Sequence, residues 1–248
     1  MKDLLYISHP QINQISAKIV KRKYEDENTK IILDRSIFMP KSPYLLDENP
    51  KISENELLDV EFINENLVHT IKNKPQKSSV ELYIDRQKRE KNLSYNTAFY
   101  IFKSLFKRFY NTDQVSLKIK KTHGQIKVAN FYENFNPIDF LKIFNKIIDL
   151  GLKINKDKDF VWINGLDKFE NSGVYLNNTK DLEGIFILST EQIEKNLFID
   201  FITGDDYKNF TKNNIEIIEK IKKISFEEIS SSEKIRKIIS IIQKSKDI

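Results

Sequence analysis

The chain has 248 residues, 40% hydrophobic and 31% charged, enough for one large domain or two small ones around an apolar core. Its 41 basic and 36 acidic side chains leave a net charge of +5, an excess that suits a nucleic-acid partner and equally a plain lysine-rich surface. Cysteine is absent, which excludes disulfides, thiolate metal sites and cysteine nucleophiles. His9, His69 and His123 are the only imidazoles, at unrelated spacings, and this argues against a multi-histidine metal site. The start Met1-Lys2-Asp3 lacks the apolar core of a signal peptide. No run approaches the ~18 to 20 apolar residues of a membrane span, so the expectation is a cytoplasmic protein with no membrane partner.

Residues 15 to 75 read as short strands. Ile15 to Val20, Lys30 to Phe38, Leu58 to Ile63 and Leu67 to Ile71 carry β-branched or aromatic residues, and Glu25-Asp26-Glu27-Asn28 and Asp47-Glu48-Asn49-Pro50 break them. A small barrel or folded sheet is predicted. Ser79 to Ile84 alternates as a further strand, with Val80, Leu82 and Ile84 on one face. Tyr95, Ala98, Phe99, Phe102, Leu105, Phe106 and Phe109 then recur at the spacing of one buried helical face, with Asn92 or Ser94 as candidate caps. Val115 to Ile119 and Ile126 to Phe131 form a predicted hairpin with His123-Gly124 in its turn. The next helix has Asn136 as N-cap, Pro137 at its first position, an apolar face of Phe140, Leu141, Phe144, Ile147 and Ile148, and Gly151 as its stop.

Strands are predicted at Phe160 to Ile163, where Trp162 is assigned to the apolar strand, at Gly184 to Leu188 and at Leu197 to Ile202. The predicted fold is α+β: a small N-terminal β-barrel-like subdomain (1–75), a two-layer α/β core (76–203) and a C-terminal helical hairpin (204–248). In the last part, residues 205 to 223 and 232 to 243 are Lys/Glu-rich with a stripe of Ile217, Ile218, Ile221 and Ile224, most simply a solvated face.

Five segments, in order, resemble the editing domain of alanyl-tRNA synthetase and the free-standing AlaX proteins. Ile32-Leu33-Asp34-Arg35-Ser36-Ile37-Phe38-Met39-Pro40 is similar to the family's "LDRTxFYP", Val68-His69 to its "VxH", and Ile84-Asp85-Arg86-Gln87-Lys88-Arg89 to its "IDWxRR". Asn96-Thr97-Ala98-Phe99-Tyr100 stands where "HTAxH" is expected, and Asn171-Ser172-Gly173-Val174-Tyr175-Leu176-Asn177-Asn178-Thr179 where "CGGTHVxNT" is expected. Asn145 and Leu182-Glu183-Gly184 match weaker family features, and the tail from Thr203-Gly204, with Phe226-Glu227-Glu228-Ile229, resembles the helices of longer members.

The resemblance implies the editing-type core and a zinc site of two histidines four apart on a helix with a Cys-x3-His pair. The metal would activate water to cleave a wrong amino acid, usually serine, from alanine tRNA. Here the four positions are Asn96, Tyr100, Asn171 and Tyr175, so the expectation is a cleft without metal and no cofactor. The family's glycine-rich "PEGGGQ" becomes Pro40-Lys41-Ser42-Pro43-Tyr44-Leu45, stiffer and bulkier. Ser36 keeps the hydroxyl of the family's threonine and, with Arg35, is the candidate substrate-binding residue. Arg86, Lys88 and Arg89 are the candidate RNA contacts. No catalytic residue is assigned, and His69 is read as structural.

Three functional readings stand. The leading one is an editing-domain-like protein that binds tRNA or a related ligand with little or no hydrolysis. The others are a metal-independent aminoacyl-tRNA deacylase using a substrate-assisted water, and a protein-interaction or homo-oligomer module that docks through the helical tail.

Overall fold

Alternating burial along the N-terminal residues produces an antiparallel sheet. The computed structural model describes residues 3–225 and 231–245. A short strand β1 (Asp3–Leu4) leads through one helical turn, α1 (Leu5–Ser8), into β2 (Gln14–Glu25) and β3 (Asn28–Leu33). Asp26 turns the chain between the last two at φ 50°, in the left-handed region that Asp tolerates better than most residues. β4 (Arg35–Ser36) pairs in parallel with β1. With β5 (Lys51–Ile52), β6 (Leu57–Ile63), β7 (Asn66–Lys72) and β8 (Ser79–Tyr83) there follows a six-stranded sheet of order β5-β8-β2-β3-β7-β6. β8 therefore pairs with β2 although it lies beyond residue 75. The sheet's inner face, with Ile31, Leu33, Ile52, Ile71 and Leu82, forms one core, to which Leu93 and Val174 also belong.

The long helix α2 (Arg86–Tyr110) starts well before its apolar periodicity. Asp85 caps it by accepting from the Lys88 N–H at 3.1 Å, so Asn92 and Ser94 lie inside the helix rather than at its end. Its first turns bury Arg89 and Asn92, polar residues held by hydrogen bonds, which a reading based on apolar spacing passes over. Phe109, placed on the buried face by that spacing, is exposed. The hairpin β9 (Val115–Ile119) and β10 (Gly124–Val128) follows, with Gly124 already in the strand. A Cβ on Gly124 would come within 2.6 Å of the Tyr95 ring and 2.8 Å of Phe201.

α3 (Pro137–Asp149) has the expected start and stop. Asn136 accepts from the Ile138 and Asp139 N–H groups, and Gly151 leaves the helix at φ 59°. A three-stranded antiparallel sheet comes next: β11 (Ile154–Lys156), β12 (Phe160–Ile163) and β13 (Lys168–Glu170). Trp162 stands partly exposed while its neighbours Val161 and Ile163 are buried, so it does not join the apolar face of the strand as expected. β14 (Ile185–Ile193) and β15 (Asn196–Thr203) complete a sheet of order β14-β15-β10-β9. α2, α3 and this sheet share a second core. Phe102 lies at its centre, with ring centroids 5.3 Å from Phe140, 5.1 Å from Phe144 and 5.0 Å from Phe201. Each such pair contributes about 0.5 to 1.5 kcal/mol beyond its buried area.

The fold is α+β. Residues 1–204 make one compact unit and 205–248 another. Apart from Gly204 at its start, α4 (Gly204–Ser225) belongs to the second unit, as does α5 (Ser231–Ser245). Ile217, Ile221 and Ile224 of α4 are partly or wholly buried, but Ile218 points to solvent and leaves the expected stripe. The segment Phe226-Glu227-Glu228-Ile229 lies outside the described residues, as do Met1 and Lys2. No helix among the described residues is long and apolar enough to cross a membrane.

Candidate functional site

Segment 173–176 docks along α2 where the two cores meet: Val174 belongs to the first and Tyr175 to the second. Asn96 and Tyr100, one helical turn apart, face this junction. The fully buried Asn96 donates through Nδ2 to the carbonyls of Tyr44 (3.2 Å) and Asn92 (2.9 Å). Its Oδ1 is packed on the Gly173 backbone so closely that a Cβ there would lie 2.4 Å away. Next to it, Thr97 Oγ1 accepts from the Leu176 N–H at 3.0 Å.

The Tyr100 hydroxyl donates to the Asp167 carbonyl and accepts from the Ile163 N–H at 3.0 Å. Desolvation pushes its pKa up to about 12, with the Ile163 hydrogen bond opposing. Tyr175 is also pushed up to about 12 by burial, against hydrogen bonds with Ser172. Asn171 is tied elsewhere: its Nδ2 donates to the Asp157 carbonyl at 2.6 Å and its backbone N–H to Asp159 at 2.8 Å. Among the described residues no hydrogen bond joins any two of Asn96, Tyr100, Asn171 and Tyr175. Three of them line a packed seam, and Asn171 sits apart at its mouth.

Lys156 fastens the far side of this segment. Its Nζ donates to the carbonyls of Tyr175 (2.7 Å) and Leu176 (3.0 Å) and to Asn177 Oδ1 (2.9 Å). Desolvation lowers its pKa to about 8, partly opposed by Asp181. The loop Pro40–Leu45 covers the near side. Ser42 Oγ donates to the Ser172 carbonyl, and the Tyr44 ring lies 5.1 Å from that of Phe99. Open space lies beside the loop. A cavity of about 430 Å³ lies between the loop and β6, lined by Phe38, Met39, Leu45, Leu58 and Val60, with Lys41 and Asp59 also on its wall. Another of about 310 Å³ is bounded by Tyr6, Ser42, Phe62, Lys158 and Ser172, and Asn171 reaches it.

No protein-family model matches the chain. The chain is 25% identical to the alanyl-tRNA editing protein AlaX-L of Pyrococcus horikoshii in an alignment that covers 86% of it. Over most of its length it is similar to an AlaX-type alanyl-tRNA editing protein. The match spans 60% of AlaX-L's own length. Zinc, which the AlaX-type resemblance implies, does not fit the residues present. It prefers thiolate and imidazole, whereas here the four positions carry two neutral amides and two phenols whose burial holds them protonated at neutral pH. No group of three or more His, Cys, Asp or Glu among the described residues could hold a metal.

The other predicted residues are scattered. Ser36 Oγ lies 2.9 Å from His69 Nε2, the spacing of a nucleophile and its base. At 3% and 1% exposure, however, the pair is sealed inside the first core, and Ser36 does not reach a ligand. Burial lowers the His69 pKa to about 4, the Ile31 backbone opposing weakly, so the imidazole is neutral at pH 7 and structural. Arg35 is exposed beside Asp34, and Arg86 pairs with Glu90 on the surface of α2. Arg89 is not an RNA contact. It is fully buried, donates to both Glu48 carboxylate oxygens at 2.7 Å, and reaches the carbonyls of Pro10 (2.9 Å) and Ile37 (2.8 Å). Asn92 joins the same network through Glu48 and Leu46. The partners of Arg89 lie 41 to 79 residues away, so no local spacing signals its burial.

Proposed function

We propose that this chain is an editing-domain-like protein that lacks catalytic zinc and binds tRNA or a chemically related ligand with little or no hydrolysis. One observation carries the reading: the Asn96 amide N–H groups and the Tyr100 hydroxyl are engaged in hydrogen bonds that fasten segment 163–176 and the 40–45 loop to α2. None of the four replaced side chains is a base near neutrality, so none can take a proton from water. The rival reading, a metal-independent deacylase, has the Ser36–His69 contact in its favour, but that pair is sealed from ligand. In this reading residues 1–75 are a barrel-like subdomain, 76–203 the editing-like core and 204–248 a helical extension for docking RNA, a protein or a second copy. The place of action is the cytoplasm.

The test is binding of uncharged alanine tRNA together with deacylation of seryl-alanine tRNA. The expected result is binding that weakens steeply with salt, because phosphate contacts release counterions, with ester cleavage close to the uncatalysed rate. Rapid deacylation by the metal-free protein would promote the rival. Absence of binding at low salt would remove the tRNA reading.

A further inference from the structure

The cavity of about 310 Å³ beside the 40–45 loop contains a phenol that the fold leaves without a hydrogen bond. Tyr6 belongs to the first core and is 3% exposed, yet it lines this cavity. Its hydroxyl has no hydrogen-bond partner among the described residues, and burial alone pushes its pKa up, so it keeps its proton. The oxygen is unpartnered but not sealed, so it opens on the cavity. A buried tyrosine ordinarily finds a partner for its O–H. Tyr6 does not, and a molecule seated in the cavity would supply one.

The other polar groups of this wall are acceptors without donors, or cations already engaged. Asn171 donates through Nδ2 to the Asp157 carbonyl, which fixes the amide and leaves its buried Oδ1 without a donor. Asp159 lines the cavity, and its carboxylate pairs with no cation among the described residues. The two lysines of the wall are directed elsewhere. Lys158 Nζ lies 3.9 Å from Glu65 and 5.2 Å from the Phe62 ring centroid. Lys41 Nζ reaches the Leu58 carbonyl at 3.3 Å and Asp59 at 3.6 Å. With Glu65 and Asp59 answering the lysines, Asp159 is the charge left unanswered. Met39, Pro40, Pro43 and Phe62 supply apolar wall. A few convergent polar groups in a largely apolar cavity of this size characterise small-molecule sites.

We propose that this cavity binds a small primary ammonium compound with a short apolar body, its N–H groups donating to the Tyr6 hydroxyl and the Asp159 carboxylate and its body resting on Met39 and Phe62. An ammonium brings both the positive charge that Asp159 lacks and the donors that a hydroxyl and a carboxylate accept. An anion would meet lysines that are already paired, and an alcohol would leave Asp159 without a counter-charge. Asp159 is exposed, so its ion pair contributes little and the buried Tyr6 hydroxyl sets the specificity. The site is independent of the RNA reading.

Met39 lines the cavity and Met1 is the only other methionine, so carbon-13 labelling of the methionine methyl groups gives a local reporter. Met39 also borders the larger cavity, and the Tyr6 variant separates the two. The full chain is titrated with n-butylammonium and, in parallel, with butyltrimethylammonium, n-butanol and butyrate. The expected result is a saturable shift of the Met39 signal with n-butylammonium, and much weaker binding of butyltrimethylammonium, which has the charge but no N–H donor. Tyr6→Phe should weaken n-butylammonium about 10-fold or more, the loss of a hydrogen bond to a charged group. Asp159→Asn should weaken it about 2- to 5-fold. Tyr6→Phe should keep the wild-type melting curve, because the hydroxyl holds nothing in the fold; a lower one would show it bonded there and overturn the site. No saturable shift, equal binding of butyltrimethylammonium, tighter binding of n-butanol or butyrate, or unchanged affinity in Tyr6→Phe would each overturn it too. All of these outcomes leave the RNA reading untouched.

Discussion

Replacing Arg89 by alanine removes a guanidinium that ties α2 to two loops of the N-terminal sheet. In the wild type it satisfies Glu48 with two hydrogen bonds of 2.7 Å and fills the carbonyls of Pro10 and Ile37. Its side chain is 1% exposed and that of Glu48 11%, so solvent does not replace what is lost. Removing one member of a buried ion pair costs about 3 to 5 kcal/mol, because the remaining charge is left unpaired. For a chain of this size each kcal/mol moves Tm by about 2 to 4 °C, so Arg89→Ala should melt roughly 6 to 20 °C lower. Thermal unfolding followed by circular dichroism measures this. Lys88→Ala is the neighbouring control and should stay within about 0.5 kcal/mol of wild type. Glu48→Ala should cost nearly as much as Arg89→Ala, and the double variant less than the sum, since the two share one interaction. If Arg89→Ala melts with Lys88→Ala, the buried network is refuted and Arg89 returns to the RNA candidates.

Acid should weaken the fold through His69, whose folded pKa of about 4 lies below the ordinary 6.5. The unfolded chain takes the proton first, so this contribution is complete above pH 6.5 and falls as the pH drops toward 4, by up to about 3 kcal/mol. The difference in stability between wild type and His69→Gln should follow that window, and a difference that is flat with pH would contradict it. Gly173→Ala should destabilise by about 1 to 3 kcal/mol in urea unfolding, because its Cβ would meet Asn96 Oδ1 at 2.4 Å and Cγ at 2.7 Å. Asn96→Ala should relieve part of that cost, and a neutral Gly173→Ala would show the seam to be looser than described. Protein purified from zinc-supplemented medium should hold far less than one zinc per chain and melt unchanged after chelator. About one tightly held zinc per chain would overturn the reading of the four replaced positions.

Local rules account for what could be read along the chain. Asn136, Pro137 and Gly151 bound α3 because capping depends on residues within one turn of each end. The strands of the N-terminal sheet were legible because alternation is local as well, and the replacement of histidine and cysteine at positions 96, 100, 171 and 175 needs only the residue types. The start of α2 was not legible, since its first turns are buried by Arg89 and Asn92, whose partners come from residues 10, 37, 46 and 48. Nor could spacing show that Asn171 turns to the 157–159 turn or that Tyr44 lies against Phe99. β11 and β13 are three residues each, too short to carry a period, yet their pairing with β12 turns Trp162 outward beside Lys168. A buried arginine reverses the usual preference of its residue type. Only hydrogen-bond partners and strand neighbours distant along the chain can impose that reversal.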